Sequence, residues 1–187
     1  VTRAPAARAE PDDARTLFYL GQTRQALGDR AGALAAFRRR VELGGWDEEV
    51  FWSLYQIGRT LESAGEWVHA AQAYLSAWDH RPHRAEPLFR LAAGYRAHAH
   101  HHVALLYAER AEAIGRPQGD RLFVEEWVYE WGIDAERSIS TWWVGRVEES
   151  RRLVDALLAR HDLDDAYRTA LESNLELLQR GARPPGD

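Results

Sequence analysis

Four histidines crowd the stretch "HAHHH" as His98, His100, His101 and His102. Imidazoles are ligands for Zn²⁺, Ni²⁺ and Cu²⁺. A structural zinc site needs four ligands that converge, whereas neighbours on a short turn splay, and the sequence has no cysteine to complete a set. Further along, Glu126, Glu130 and Asp134 recur at four-residue spacing, one stripe of a helix unless Gly132 breaks it. Two carboxylates opposed across a cleft can perform acid–base chemistry; a stripe facing water does none. Ser138 and Ser140 lie beside Glu136 and Arg137 with no histidine in local register, which leaves open only a triad assembled by tertiary folding. The sequence contains no glycine-rich phosphate loop, no His-Glu-x-x-His and no Gly-x-Ser-x-Gly. The expectation is therefore no catalytic residue, no metal ligand and no cofactor.

Anion recognition is the other available chemistry. Every one of the 24 basic residues is arginine, whose planar fork makes paired contacts to carboxylate or phosphate. The 29 acidic residues bring the formal charge to -5, and the short runs Arg38–Arg40 and Arg151–Arg152 are offset by nearby acids, which argues against a nucleic-acid partner. Without cysteine there is no disulfide, thiol nucleophile or thiolate site, and the redox compartment stays open. The first eleven residues carry no apolar signal core and nothing later reaches the length of a membrane span, so a soluble, cytoplasmic chain without a membrane partner is expected. A chain that opens on Val1 fits either processing or excision from a longer protein. Among the eight tryptophans, Trp127 and Trp131 sit one turn apart and Trp142 and Trp143 are adjacent. Such rings can stack on a sugar or a cation, or they can fill volume between helices.

The elements that must position these groups are helical throughout. Leu17, Leu20, Gly21 and Arg24 precede a break at Gly28, after which Ala33, Phe37 and Val41 mark a second helix, with the three- and four-residue spacings of one covered face. The order then recurs: Gly21 to Gly58, Gly28 to Gly65 and Ala33 to Ala70 are each 37 residues apart. Ala92 and Ala104 follow Gly58 and Ala70 by 34. Small residues at Gly21, Gly58 and Ala92 suit close helix approach, while Phe37 and Tyr74 are large enough to fill the space toward a neighbouring pair. The fourth unit is irregular: Asp120 is expected to cap a long helix from Arg121, broken or bent near Gly132. Ser150 and Val154 restate the second-helix pattern, and Asp162 or Asp164 caps a solitary last helix.

This order of Leu-Gly, Tyr or Arg, a turn glycine, Ala, Phe or Tyr and then Pro resembles the tetratricopeptide repeat. The resemblance implies an all-α, right-handed TPR-like α–α superhelix with a C-terminal closing helix. Units fall at about 12–46, 47–82, 83–117 and 120–160, with the closing helix at 163–180, inside a repeat domain spanning 12–180; 1–11 and 181–187 are expected to be flexible. A narrower likeness, in "ARTLFYLGQT", "RRVELGGWDEEVFWSLYQIGR", "RAEPLFRLA", "DRLFVEEWVYEWGIDAERSIS" and "WWVGRVEES", is to the repeat region attached to bacterial family 2 type glycosyltransferases. It does not carry over activity, because the sequence lacks the strand–helix alternation and Asp-x-Asp motif of a sugar-nucleotide transferase.

In such repeats the first helix of each pair lines a concave surface. The resemblance places Arg15, Phe18, Tyr19 and Gln22 there from the first unit, Trp52, Tyr55, Gln56, Arg59 and Glu62 from the second, and Glu86, Phe89, Arg90 and Arg96 from the third. Tyr129, Glu130 and Asp134, with Arg137, are the candidates of the fourth. Repeats that clamp a C-terminal carboxylate use Lys and Asn where this chain has Arg15, Tyr19, Gln22, Gln56 and Arg59, so that clamp is altered. The expected function is a non-catalytic binding or scaffolding module for a protein, a peptide or a polar small molecule, with a homodimer left open. The alternative is a small-molecule-processing enzyme or enzyme subunit, which predicts an enclosed pocket around Tyr129, Glu130 and Asp134.

Overall fold

A computed structural model describes residues 13–180; the segments 1–11 and 181–187, read above as flexible, lie outside the described residues. The chain forms two compact units that divide at Ala70–Ala71.

The first unit holds α1 (Ala14–Ala26), α2 (Arg30–Leu43), α3 (Asp47–Ser63) and the first turn of α4 (Trp67–His80). Asp13 caps α1 by accepting the Thr16 N–H at 2.8 Å, and Asp29 caps α2 by accepting that of Gly32 at 2.9 Å. Between them Gly28 has φ +78°, the left-handed conformation that lets the chain reverse in so short a turn. The two helices close on each other at Gly21, where an added Cβ would lie 2.6 Å from the buried Phe37 ring. Phe37 therefore fills the space inside its own hairpin rather than toward a neighbouring pair. Helix α3 packs against both α1 and α2. The link before it is held by Arg40, 1% exposed, which donates to Glu49 from Nε at 3.1 Å and Nη2 at 3.0 Å and also reaches the carbonyls of Gly44 and Trp46.

The second unit holds the rest of α4, then α5 (Glu86–Ala97), α6 (His101–Ile114), a π-helical turn (Val128–Gly132), α7 (Ile133–Trp143), α8 (Val147–Leu158) and α9 (Asp165–Gln179). Helix α7 packs against both α5 and α6, the adjacency that α3 has with α1 and α2. That recurrence within each unit is the structural mark of a repeat, because a helical hairpin cannot cover both of its apolar faces alone. Helix α9, capped by Asp164, packs on α8 and brings Leu171 and Leu178 into a cluster with Val154, Leu157, Trp131 and Ala135.

The connection into the fourth unit departs from expectation. Residues 121–125 are not helical, and Asp120 caps nothing. Its carboxylate accepts from Arg81 at 2.7 Å, from Arg84 at 3.0 Å and from the His83 ring at 3.1 Å. Arg84, fully buried, also donates to both Glu86 oxygens and to the carbonyls of Leu122 and Phe123. Phe123 adopts φ +49°, outside the right-handed helical region, so the segment does not form the expected helix. Of the break or bend expected near Gly132, the break does not occur. The chain runs continuously through the π turn into α7, with the Ile133 N–H bonded to the Val128 carbonyl, and Gly132 is small because the Trp127 ring lies against it.

Burial alone would raise the Asp120 carboxyl, but the bonds from Arg81, Arg84 and His83 outweigh it and hold its pKa at about 2, below the ordinary 3.8. A depressed carboxylate contributes stability above its unfolded pKa and loses it as pH falls through the folded value. Urea unfolding at a series of pH values should show about 2 kcal/mol of stability disappearing between about pH 4 and 2, and Asp120→Asn should flatten that slope. An unchanged slope in the variant would remove Asp120 from the acid response.

Candidate functional site

The side chains assigned to the concave face have separate fates. In α1, Arg15 is exposed and donates to the Tyr19 hydroxyl at 3.4 Å, with its guanidinium 5.8 Å from that ring. Phe18 is buried edge-on to Tyr19, and the half-buried Gln22 keeps an Nε2 without a partner. In α3, Trp52, Tyr55 and Gln56 are buried; Tyr55 is tilted against Trp52 with ring centres 5.4 Å apart, and Arg59 and Glu62 are half-buried.

In the second unit Glu86 is fully buried and its carboxylate is occupied by Arg84 and the Tyr129 hydroxyl. Burial first, then the charge and hydrogen bond of Glu86, push the Tyr129 phenol far above its ordinary pKa, so it acts as a fixed donor, while also accepting the Ala85 N–H at 3.0 Å. Phe89 is buried edge-on to Trp127, rings 5.0 Å apart, and Arg90 lies over Phe89 at 5.8 Å. The aromatic series continues from Trp127 to Trp131 at 5.0 Å and from Trp131 to Tyr167 at 4.6 Å. These rings fill volume between helices. Tyr129 and Asp134 line a cavity of about 190 Å³ with Glu112 and Arg137, but Glu130 lies on a different hollow beside His161 and Asp162. Arg137 sits 3.0 Å from Asp134, 3.3 Å from Glu149 and 3.6 Å from Glu112, so the carboxylates at that cavity share one cation.

The histidines splay. His98 Nδ1 lies 2.8 Å from the Gly94 carbonyl oxygen and His100 stands edge-on to Tyr95. His101 lies flat on Trp143, ring centres 4.3 Å apart and planes 1° from parallel. Among the described residues no group of three or more His, Cys, Asp or Glu side chains gathers as a metal ion requires.

That stack belongs to the most distinctive surface of the second unit. Arg96, near the end of α5, forks onto Glu136 in the first turn of α7, Nε to Oε2 at 2.6 Å and Nη2 to Oε1 at 3.0 Å. The Glu136 bond raises the Arg96 pKa against the opposing effect of burial, so the cation is permanent. Its Nη1 makes no hydrogen bond within the described residues. Arg96, His101, His102, Ile139 and Trp143 then line an open hollow of about 640 Å³ that has no carboxylate in its wall. Burial, followed by the charges of Arg96, His102 and His100, lowers the His101 pKa, which favours the neutral ring at pH 7, and its Nδ1 is buried without a partner. Arg96 stands out in the sequence, but His101 and Trp143 do not as a pair; their 42-residue separation gives no local signal, since only the α6–α7 packing brings them together.

The class defined by these observations is an all-α protein of paired antiparallel helices resembling a tetratricopeptide-like helical repeat. No protein-family model matches the chain, and no curated protein is significantly similar to it.

Proposed function

We propose that this chain is a non-catalytic helical-repeat binding module and that its second unit takes a peptide or extended polar ligand at the hollow between α5, α6 and α7. The observation that carries the reading is the hollow beside Arg96, where a guanidinium oriented by its fork on Glu136 keeps Nη1 for a ligand beside the His101–Trp143 stack. Rigid rings supply contact area at little rotamer cost, and arginine fixes the orientation of an acceptor. Within this reading successive hairpins wind right-handedly and α9 is the closing helix. Nothing among the described residues supports an association with a glycosyltransferase.

Panning a displayed random-peptide library on the full chain tests it. Enriched peptides are expected, with binding weakened by about 2 kcal/mol or more in Trp143→Ala, the loss typical of an aromatic anchor. Failure to enrich any peptide would sink the proposal. The enzyme alternative keeps the cavity at Tyr129 and Asp134, where Arg137 neutralises the acids, and nothing observed there favours it.

A further inference from the structure

Beside the hollow lies a second compartment. Between α7, α8 and α9 the side chains of Ile139, Trp142, Trp143, Asn174, Leu177 and Leu178 enclose a cleft of about 190 Å³. Ile139 and Trp143 line both spaces, so a single wall separates an apolar slot from the hollow at Arg96. Ser138 and Ser150 border the slot, but their hydroxyls are committed elsewhere, Ser138 Oγ to the Ala135 carbonyl at 2.8 Å and Ser150 Oγ to the Ser138 carbonyl at 2.7 Å. The Asn174 amide also borders the slot and makes no hydrogen bond within the described residues.

We infer that the two compartments form one site for an extended peptide segment in which a bulky apolar side chain enters the Trp142–Leu178 slot and an acidic side chain two residues away enters the hollow at Arg96. This rests on the binding-module reading above and names its ligand. Three observations select the occupant. A slot of about 190 Å³ is smaller than the roughly 300–1,000 Å³ of small-molecule sites, and suits a single side chain. Alternate residues of an extended strand point the same way about 7 Å apart, which lets them straddle the Trp143 ring. An amide offers both a donor and an acceptor, which is what a peptide backbone crossing the slot requires and what a lipid chain does not. The second anchor is set by Arg96, whose Nη1 is left over from the fork on Glu136 and can donate to a carboxylate, in a hollow whose own wall carries no acid.

The probe is a synthetic peptide of about ten Ser and Gly residues carrying Phe-Gly-Glu at its centre, titrated against the full chain by fluorescence anisotropy. Phe→Ala and Glu→Gln peptides are each expected to bind about tenfold more weakly. Leu177→Glu places a carboxylate at the rim of the slot, on an exposed position where glutamate keeps the helix, and should weaken the parent peptide by a similar factor. His102→Glu, exposed in the first turn of α6 where an acid suits the helix dipole, should reject the Glu peptide and accept a Phe-Gly-Lys peptide instead. Free and amidated C-termini should bind alike, since the acid is internal. Ala and Gln peptides that bind as tightly as the parent, indifference to both protein variants or a requirement for a free C-terminus would overturn the inference. If library peptides bind while these variants leave them unaffected, the module reading stands and this site falls; if no peptide of any composition binds, both fall.

Discussion

Replacing Arg84 by alanine is expected to lower the unfolding free energy by about 3–5 kcal/mol. Arg84 is fully buried and holds Glu86, itself fully buried, together with Asp120 and two carbonyls of the 121–125 link. The variant leaves a carboxylate in the interior with its countercharge gone, and desolvation makes a lone buried charge far more costly than an exposed one. Natural domains are stable by about 5–15 kcal/mol, so the loss is a large fraction of the whole. Urea titration followed by circular dichroism measures it. The double variant Arg84→Met/Glu86→Leu should lose less than Arg84→Ala alone, because neither charge is then stranded and the Tyr129 hydroxyl still accepts the Ala85 N–H. A single variant within about 1 kcal/mol of the parent would show that the network does not anchor the link.

Phe37→Ala should cost about 3–5 kcal/mol, the range for emptying a buried aromatic site. The ring fills the gap that Gly21 leaves between α1 and α2. Gly21→Ala attacks the same contact from the other side. Its methyl would meet the ring at 2.6 Å, and forcing a close-packed interior apart costs about 1–3 kcal/mol. The two positions should be coupled, with Gly21→Ala/Phe37→Leu less damaging than the sum of its parts. Additive losses in urea denaturation would mean the ring relaxes independently of Gly21.

The small residues and turn glycines made the hairpins legible in the sequence because they obey spacing rules that act within one or two helical turns. Gly28, Asp29 and Asp164 do in the structure what their residue types dictate. The fourth unit was misread at Asp120 for the same reason. An aspartate before a helical pattern looks like a cap, and only the fold reveals Arg81 and Arg84 competing for it from almost forty residues away. The tryptophans at 127 and 131 were open to two readings, since composition cannot distinguish a ring that packs from one that waits for a ligand. The hollow and slot at Trp143 were illegible because α5, α6, α7 and α9 each contribute only one or a few side chains to them.

The buried clips Arg40–Glu49 and Arg84–Glu86 lie at the links that lead into α3 and into α5. Modular arrays are usually thought of as beads that can be removed or exchanged at their linkers. Here a cut at residue 45 or at residue 85 would separate an acid from its base, so evolution or an engineer could shorten this chain only by moving the splice point outside the clips or by neutralising both members at once.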